Sequence, residues 1–165
     1  MTPNQILNAL GSEMQLYLMS YMQNDQRPAY KAIINTLAPQ RKLRPVFIFE
    51  KSKAKQAEWV LEQLRMRSNE GVTEQVFQIW LLKGNMQMLI KFLDEAGIAH
   101  DGKGEITELP EEIADDKAEA AVAALAAEYP EKHVALYLTM FQSQREGGWP
   151  SLTKAIDARP ELKLA

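Results

Sequence analysis

Cysteine is absent from the 165 residues, which excludes disulfide frameworks, thiolate metal sites and thiol nucleophiles at once. A reducing compartment agrees with that absence, and the cytoplasm is the expected location. Histidine is scarce too, with only His100 and His133, so a nitrogen-coordinated metal has few ligands to draw on. No apolar run approaches the roughly 20 residues of a spanning helix. The first residues, Met1-Thr2-Pro3-Asn4-Gln5, hold no basic stretch, so neither a membrane span nor a signal peptide is expected.

Strand-forming sequence is also nearly missing. Val46-Phe47-Ile48-Phe49 is the one uninterrupted β-branched and aromatic run. No second segment could pair its backbone groups. A strand stays open as the alternative, but the run reads as a helix opened by Pro45 and continuing through Ala57, Val60 and Leu61 to Leu64, about 20 residues and about 30 Å long.

What the chain does contain is helical periodicity. Met86, Leu89, Ile90, Leu93 and Ala96 recur at three- and four-residue spacing, and Gly97 follows as a left-handed stop that would set Ile98 against Leu93. Thr2 and Pro3 open a first helix, and Ser12 with Gln15 reads as a capping box for a second, with one kinked helix as the other option. Further helices follow from Pro28 to Pro39, from Thr73 through Leu81, from Asp115 or Asp116 to Tyr129, through Val134–Phe141, and from Pro150 to Arg159. The helices meeting at Gly84-Asn85 are expected to form an antiparallel hairpin. Residues 97–110 form a polar loop and 144–149 a flexible joint. Leu37–Phe49 and Leu125–Tyr137 align at a constant offset, a degenerate helical-pair repeat if real. The expected fold is a single all-α domain over residues 1–165, about eight helices arranged as antiparallel hairpins. Met14, Met19, Met22, Met86, Met88 and Met140 fall on these helices and are assigned to core gaps.

Net charge is only −3, but its distribution is polarised. From Arg41 to Arg67 eight bases face three acids, a balance of +5, whereas from Asp94 to Glu131 twelve acids face Lys103 and Lys117, a balance of −10. Such asymmetry either steers a charged partner or joins the two regions within the fold.

Two constellations carry candidate function. Lys51, Lys53 and Lys55 head the basic segment, with Trp59 nearby; Lys51 and Lys55 share a helix face and Lys53 sits around from them. His100 and Asp101 could act as a base with its orienting carboxylate. Setting Gly104 at the sixth position of a calcium loop puts Ala99, Lys103 and Pro110 where oxygen ligands are needed, so that reading is rejected. The glycines of 102–104 follow no strand and are too few for a phosphate-binding fingerprint. Residues 93–104 resemble a stretch in bacterial proteins without an assigned activity, which implies no chemistry. No catalytic set, cofactor or metal is expected. The expectation is a protein-binding or adaptor module whose partner is another protein, with Lys51, Lys53, Lys55, His100 and Asp101 as candidate surface. The rivals are nucleic-acid binding through 41–67 and an enzyme or ligand site at 99–105.

Overall fold

The computed structural model describes residues 1–164. Among them the chain is all-α, with ten α-helices and a single isolated bridge, His100 to Ile106, in place of any sheet. By Cα packing it comprises two compact units, Met1–Trp80 and a second beginning at Leu81.

The first unit holds α1 (Pro3–Leu10), α2 (Ser12–Asp25), α3 (Arg27–Gln40), α4 (Pro45–Phe49), α5 (Lys53–Leu64) and α6 (Glu70–Ile79). Gly11, at φ 85°, separates α1 from α2, so there are two helices and no kinked one. The capping box expected at Ser12 does not form. Gly11 occupies the cap position and the Gln15 side chain turns inward, donating from Nε2 to the Leu7 carbonyl at 2.7 Å. A box of that kind does appear one helix earlier, where Gln5 Oε1 accepts the Thr2 N–H at 2.9 Å. Leu18, Met19, Met22, Tyr30, Ile34, Leu37, Phe77 and Trp80 fill the core of this unit, with α2 packed on α1, α3 and α5, and α1 on α6.

Val46–Phe49 is helical, as expected, but the long helix is not continuous. Ser52 ends the run and caps α5, its Oγ accepting the Lys55 N–H at 3.3 Å. Gln56 Nε2 meanwhile donates to the carbonyls of Phe49 at 3.1 Å and Lys51 at 2.8 Å, groups that an unbroken helix would have satisfied internally. The break is therefore written in two polar side chains. The following helix starts at Glu70, earlier than expected, because Thr73 lies inside it with Oγ1 donating to the Leu64 carbonyl at 2.8 Å.

A π-helical turn, Trp80–Gly84, precedes α7 (Met86–Ala96), and the second unit continues through α8 (Asp115–Glu128), α9 (Glu131–Gln142), α10 (Pro150–Asp157) and a 3₁₀ turn at Pro160–Leu162. The helices expected to form a hairpin about Gly84-Asn85 belong to different units; α6 packs on α1 and α5, and α7 on α8. The stripe of α7 is rotated from its expected setting: Met88, Leu89, Phe92, Leu93 and Ala96 are buried, while Met86 and Ile90 are half-buried. Its end is as expected. Gly97 adopts φ 72° and ψ 31°, the Ile98 N–H reaches the Leu93 carbonyl at 2.8 Å, and the Gly97 N–H reaches that of Asp94 at 3.2 Å.

Ala114 rather than Asp115 or Asp116 is the cap of α8, and both aspartates stand in the first turn, where the helix dipole favours them. Ala118 and Ala121 keep the α8 face small enough for close packing against α7 and α10. Five consecutive residues of α9, Val134–Leu138, are buried, the enclosure expected of a helix apolar on nearly every side. Phe92 meets Tyr137 edge-on at 5.3 Å between ring centres and Phe141 at 5.0 Å, and Phe141 meets Trp149 at 4.8 Å. The segment expected as a joint is a turn tied by the Trp149 N–H to Gln142 Oε1 at 2.7 Å. The segments aligned as a repeat occupy elements of unlike length, the five residues of α4 and the twelve of α9.

Candidate functional site

The basic segment builds its surface around the start of α5. Glu58 and Trp59 lie three and four residues after Lys55, and Glu62 lies four and three after them, so the four line one side of that helix. Together with Lys51, Leu61 and Arg65 they form one wall of an open cleft of about 580 Å³, and Ser12, Gln15 and Leu16 of α2 form the other. Trp59 is half-buried in it, whereas Leu16 stands out in solvent. Arg65 is not free to meet a ligand: its Nη2 donates to Gln15 Oε1 at 2.5 Å, tying the end of α5 to α2.

Of the three lysines singled out in sequence, Lys51 and Lys55 line this cleft and Lys53 does not. Lys53 Nζ instead donates to Asn24 Oδ1 at 3.1 Å, and its carbonyl accepts Gln23 Nε2 at 2.9 Å. The rest of the basic segment is likewise partly committed. Arg41 donates from Nε to Gln63 Oε1 at 2.8 Å and from Nη2 to Met66 Sδ, and Arg67 lies 3.8 Å from Glu70.

Glutamines hold this wall in place. Gln23 Nε2 donates to Tyr30 Oη at 3.0 Å, and Tyr30 Oη donates to Gln56 Oε1 at 3.1 Å. Gln56 in turn grips the Lys51 carbonyl, so the link carrying Lys51 is anchored through α5 to α2 and α3. Burial pushes the Tyr30 phenol above its ordinary value, which keeps it a neutral donor in this chain. A signal was available: Gln15 and Gln23 occupy the same stripe of α2 as Met14, Leu18, Met19 and Met22, and a polar residue on a buried stripe must find partners.

The polar loop is closed upon itself. His100 Nδ1 accepts the Gly102 N–H at 3.0 Å, which in the neutral ring places the proton on Nε2, and Nε2 lies 2.7 Å from Asp94 Oδ1. Asp101 Oδ1 accepts the N–H groups of Lys103 at 2.7 Å and Glu105 at 3.2 Å, and these bonds, that from Lys103 first, hold its carboxyl below the ordinary 3.8. His100 and Asp101 therefore do not form a base and its orienting carboxylate. Asp94, rather than Asp101, supplies the carboxylate that meets the imidazole. His133 is a first-turn residue of α9, and burial lowers its pKa.

No protein-family model, curated protein or solved structure matches this chain. Its chemistry rests on its own geometry. Among the described residues no group of three or more His, Asp or Glu side chains could hold a metal ion, and no helix is long and apolar enough to cross a membrane. What the α2–α5 cleft offers is a half-buried indole, an exposed leucine, two lysines and two glutamates over an anchored backbone. That combination suits a side chain-rich surface, with an apolar anchor and charges of both signs at its edge.

Proposed function

We propose that the chain is a cytoplasmic protein-binding module without catalytic machinery of its own, and that the α2–α5 cleft is where its partner protein docks. The observation that carries this reading is the convergence of Lys51, Lys55, Trp59 and Leu16 on one open cleft. A tryptophan lining a surface depression among charged side chains is the composition of a binding hot spot. Glu58 and Glu62 in the same wall favour a protein over a nucleic acid, since a phosphate backbone would meet two carboxylates there.

The test is comparative. Immobilised wild type, Lys51→Glu/Lys55→Glu and Lys53→Glu are each exposed to lysate with and without nuclease treatment. A stoichiometric protein is expected on the wild type and on Lys53→Glu, whose lysine lies outside the cleft, and is expected to be lost from the double variant while the thermal melt is unchanged. Equal recovery by all three would place the partner elsewhere, and recovery abolished by nuclease would move the reading to nucleic acid.

A further inference from the structure

Two exposed segments of opposite charge are each held rigid by their backbones. The first is the corner between α3 and α4. Leu43, Val46 and Phe47 are 37%, 49% and 55% exposed, an unusual density of apolar surface in five residues. Lys42 and Arg44 stand exposed among them, and neither takes part in an ion pair among the described residues. The Lys42 N–H donates to the Pro39 carbonyl, the Leu43 N–H to that of Ala38 and the Phe47 N–H to that of Arg44, each at 3.0 Å, so the corner is preformed.

The second is the extended stretch before α8. Together with the start of α8 it spans residues 105–119, which carry seven acids, Glu105, Glu108, Glu111, Glu112, Asp115, Asp116 and Glu119, against Lys117 alone. None of the seven forms an ion pair among the described residues. Trp149 Nε1 donates to the Pro110 carbonyl at 2.8 Å and Arg145 Nη1 donates to that of Glu111, which fixes the backbone. The side chains of Glu111 and Glu112 remain exposed, with Leu109 beside them 42% exposed.

We propose that these are the two halves of one contact between copies of this chain: the basic, apolar corner 41–47 of one molecule receives the acidic segment 108–112 of a second. Lys42 and Arg44 face Glu108, Glu111 and Glu112, and Leu109 meets the shelf of Leu43, Val46 and Phe47. The complementarity is in both charge and apolar surface, and it comes from the chain itself. Because both backbones are already ordered, little conformational freedom is lost on contact. The contact is heterologous, one surface against a different one, so each copy offers both. It does not involve the α2–α5 cleft and stands or falls apart from it.

Weight-average mass is measured by light scattering over a range of concentrations at about 0.01 M and about 1 M salt, where the screening lengths are about 30 Å and about 3 Å. At low salt the mass is expected to rise above the 18.7 kDa of one chain as concentration rises, and at high salt to return to it. Lys42→Glu/Arg44→Glu and Glu111→Lys/Glu112→Lys are each expected to associate at least about tenfold more weakly alone. Their equimolar mixture is expected to recover association, because the intact corner of the second variant still receives the intact segment of the first, and the reversed corner of the first complements the reversed segment of the second. A wild type that stays monomeric at low salt, an association indifferent to salt, or a mixture that fails to recover while both variants keep the wild-type melt would each overturn the proposal. So would a monomer that pellets with phosphatidylserine vesicles, since the occupant of the corner would then be an anionic membrane surface.

Discussion

At Gly104 the backbone holds φ 95°, and an added Cβ would stand 3.0 Å from Leu89 Cβ on α7. Gly102, two residues earlier, holds φ 80° with open space around it. The pair separates backbone strain from crowding. Gly102→Ala is expected to cost about 1 kcal/mol, the strain of a left-handed alanine, and Gly104→Ala about 1–3 kcal/mol more, because Leu89 must shift within a packed face. Urea unfolding midpoints read the difference; equal losses would mean that the loop moves off α7 at no expense. A second residue reports through pH. Burial depresses His133 below the ordinary 6.5, so near that pH the unfolded chain takes up the proton first and stability falls as pH drops through 6.5 toward the lower value of the folded chain. His133→Gln is expected to flatten that part of the stability profile, leaving unchanged the loss below pH 3.8, where the depressed carboxyl of Asp101 takes up its proton later than in the unfolded chain. Residue identity alone carried the site only partway. Lys51 and Lys55 line one cleft but not as one helix face, because Lys51 lies in the link before α5, and the partner of His100 is Asp94, six residues back, rather than its neighbour Asp101. Proximity in a closed loop follows the path of the backbone, which the order of residues does not give.

At the scale of elements, periodicity and local stop signals were the legible part. The left-handed Gly97, the Ile98 to Leu93 contact and the helices of Tyr30–Leu37 and Val134–Phe141 all follow from patterns within a few residues. What the sequence hid were ends set by side chains reaching beyond their own turn. Ser12 and Gln15 have the spacing of a capping box, but Gln15 is drawn to the Leu7 carbonyl and Arg65 in the folded chain. Apolar spacing likewise runs across Ser52, although Ser52 and Gln56 divide the segment. Ser52→Ala is expected to destabilise the chain by about 0.5–1 kcal/mol, the low end of the range for a lost cap because the bond is long and exposed. It is also expected to quicken amide exchange at Lys55, the N–H that Ser52 holds. A loss of more than about 2 kcal/mol would exceed what a single cap supplies and would mean that the break itself supports the core of the first unit.

For the whole molecule, the polarised charge visible in the sequence has two structural expressions, and they can be told apart. The α2–α5 cleft presents Lys51 and Lys55 beside Trp59, while the α3–α4 corner presents Lys42 and Arg44 beside Phe47. Both lie in the segment that reads simply as basic in sequence. If partner capture and self-association use these separate surfaces, charge reversal should dissociate them in both directions. Lys51→Glu/Lys55→Glu is expected to lose the captured protein and keep the salt-sensitive rise in mass. Lys42→Glu/Arg44→Glu and Glu111→Lys/Glu112→Lys are expected to lose the rise in mass and keep the captured protein. Loss of both behaviours in every variant would show one diffuse electrostatic surface, because a general change in net charge acts on all encounters alike. Loss of one behaviour at a time would not follow from net charge, since the two lysine-cleft reversals and the two corner reversals change it by the same amount and sign. The contrast therefore tests placement, the property that folding adds to a run of bases.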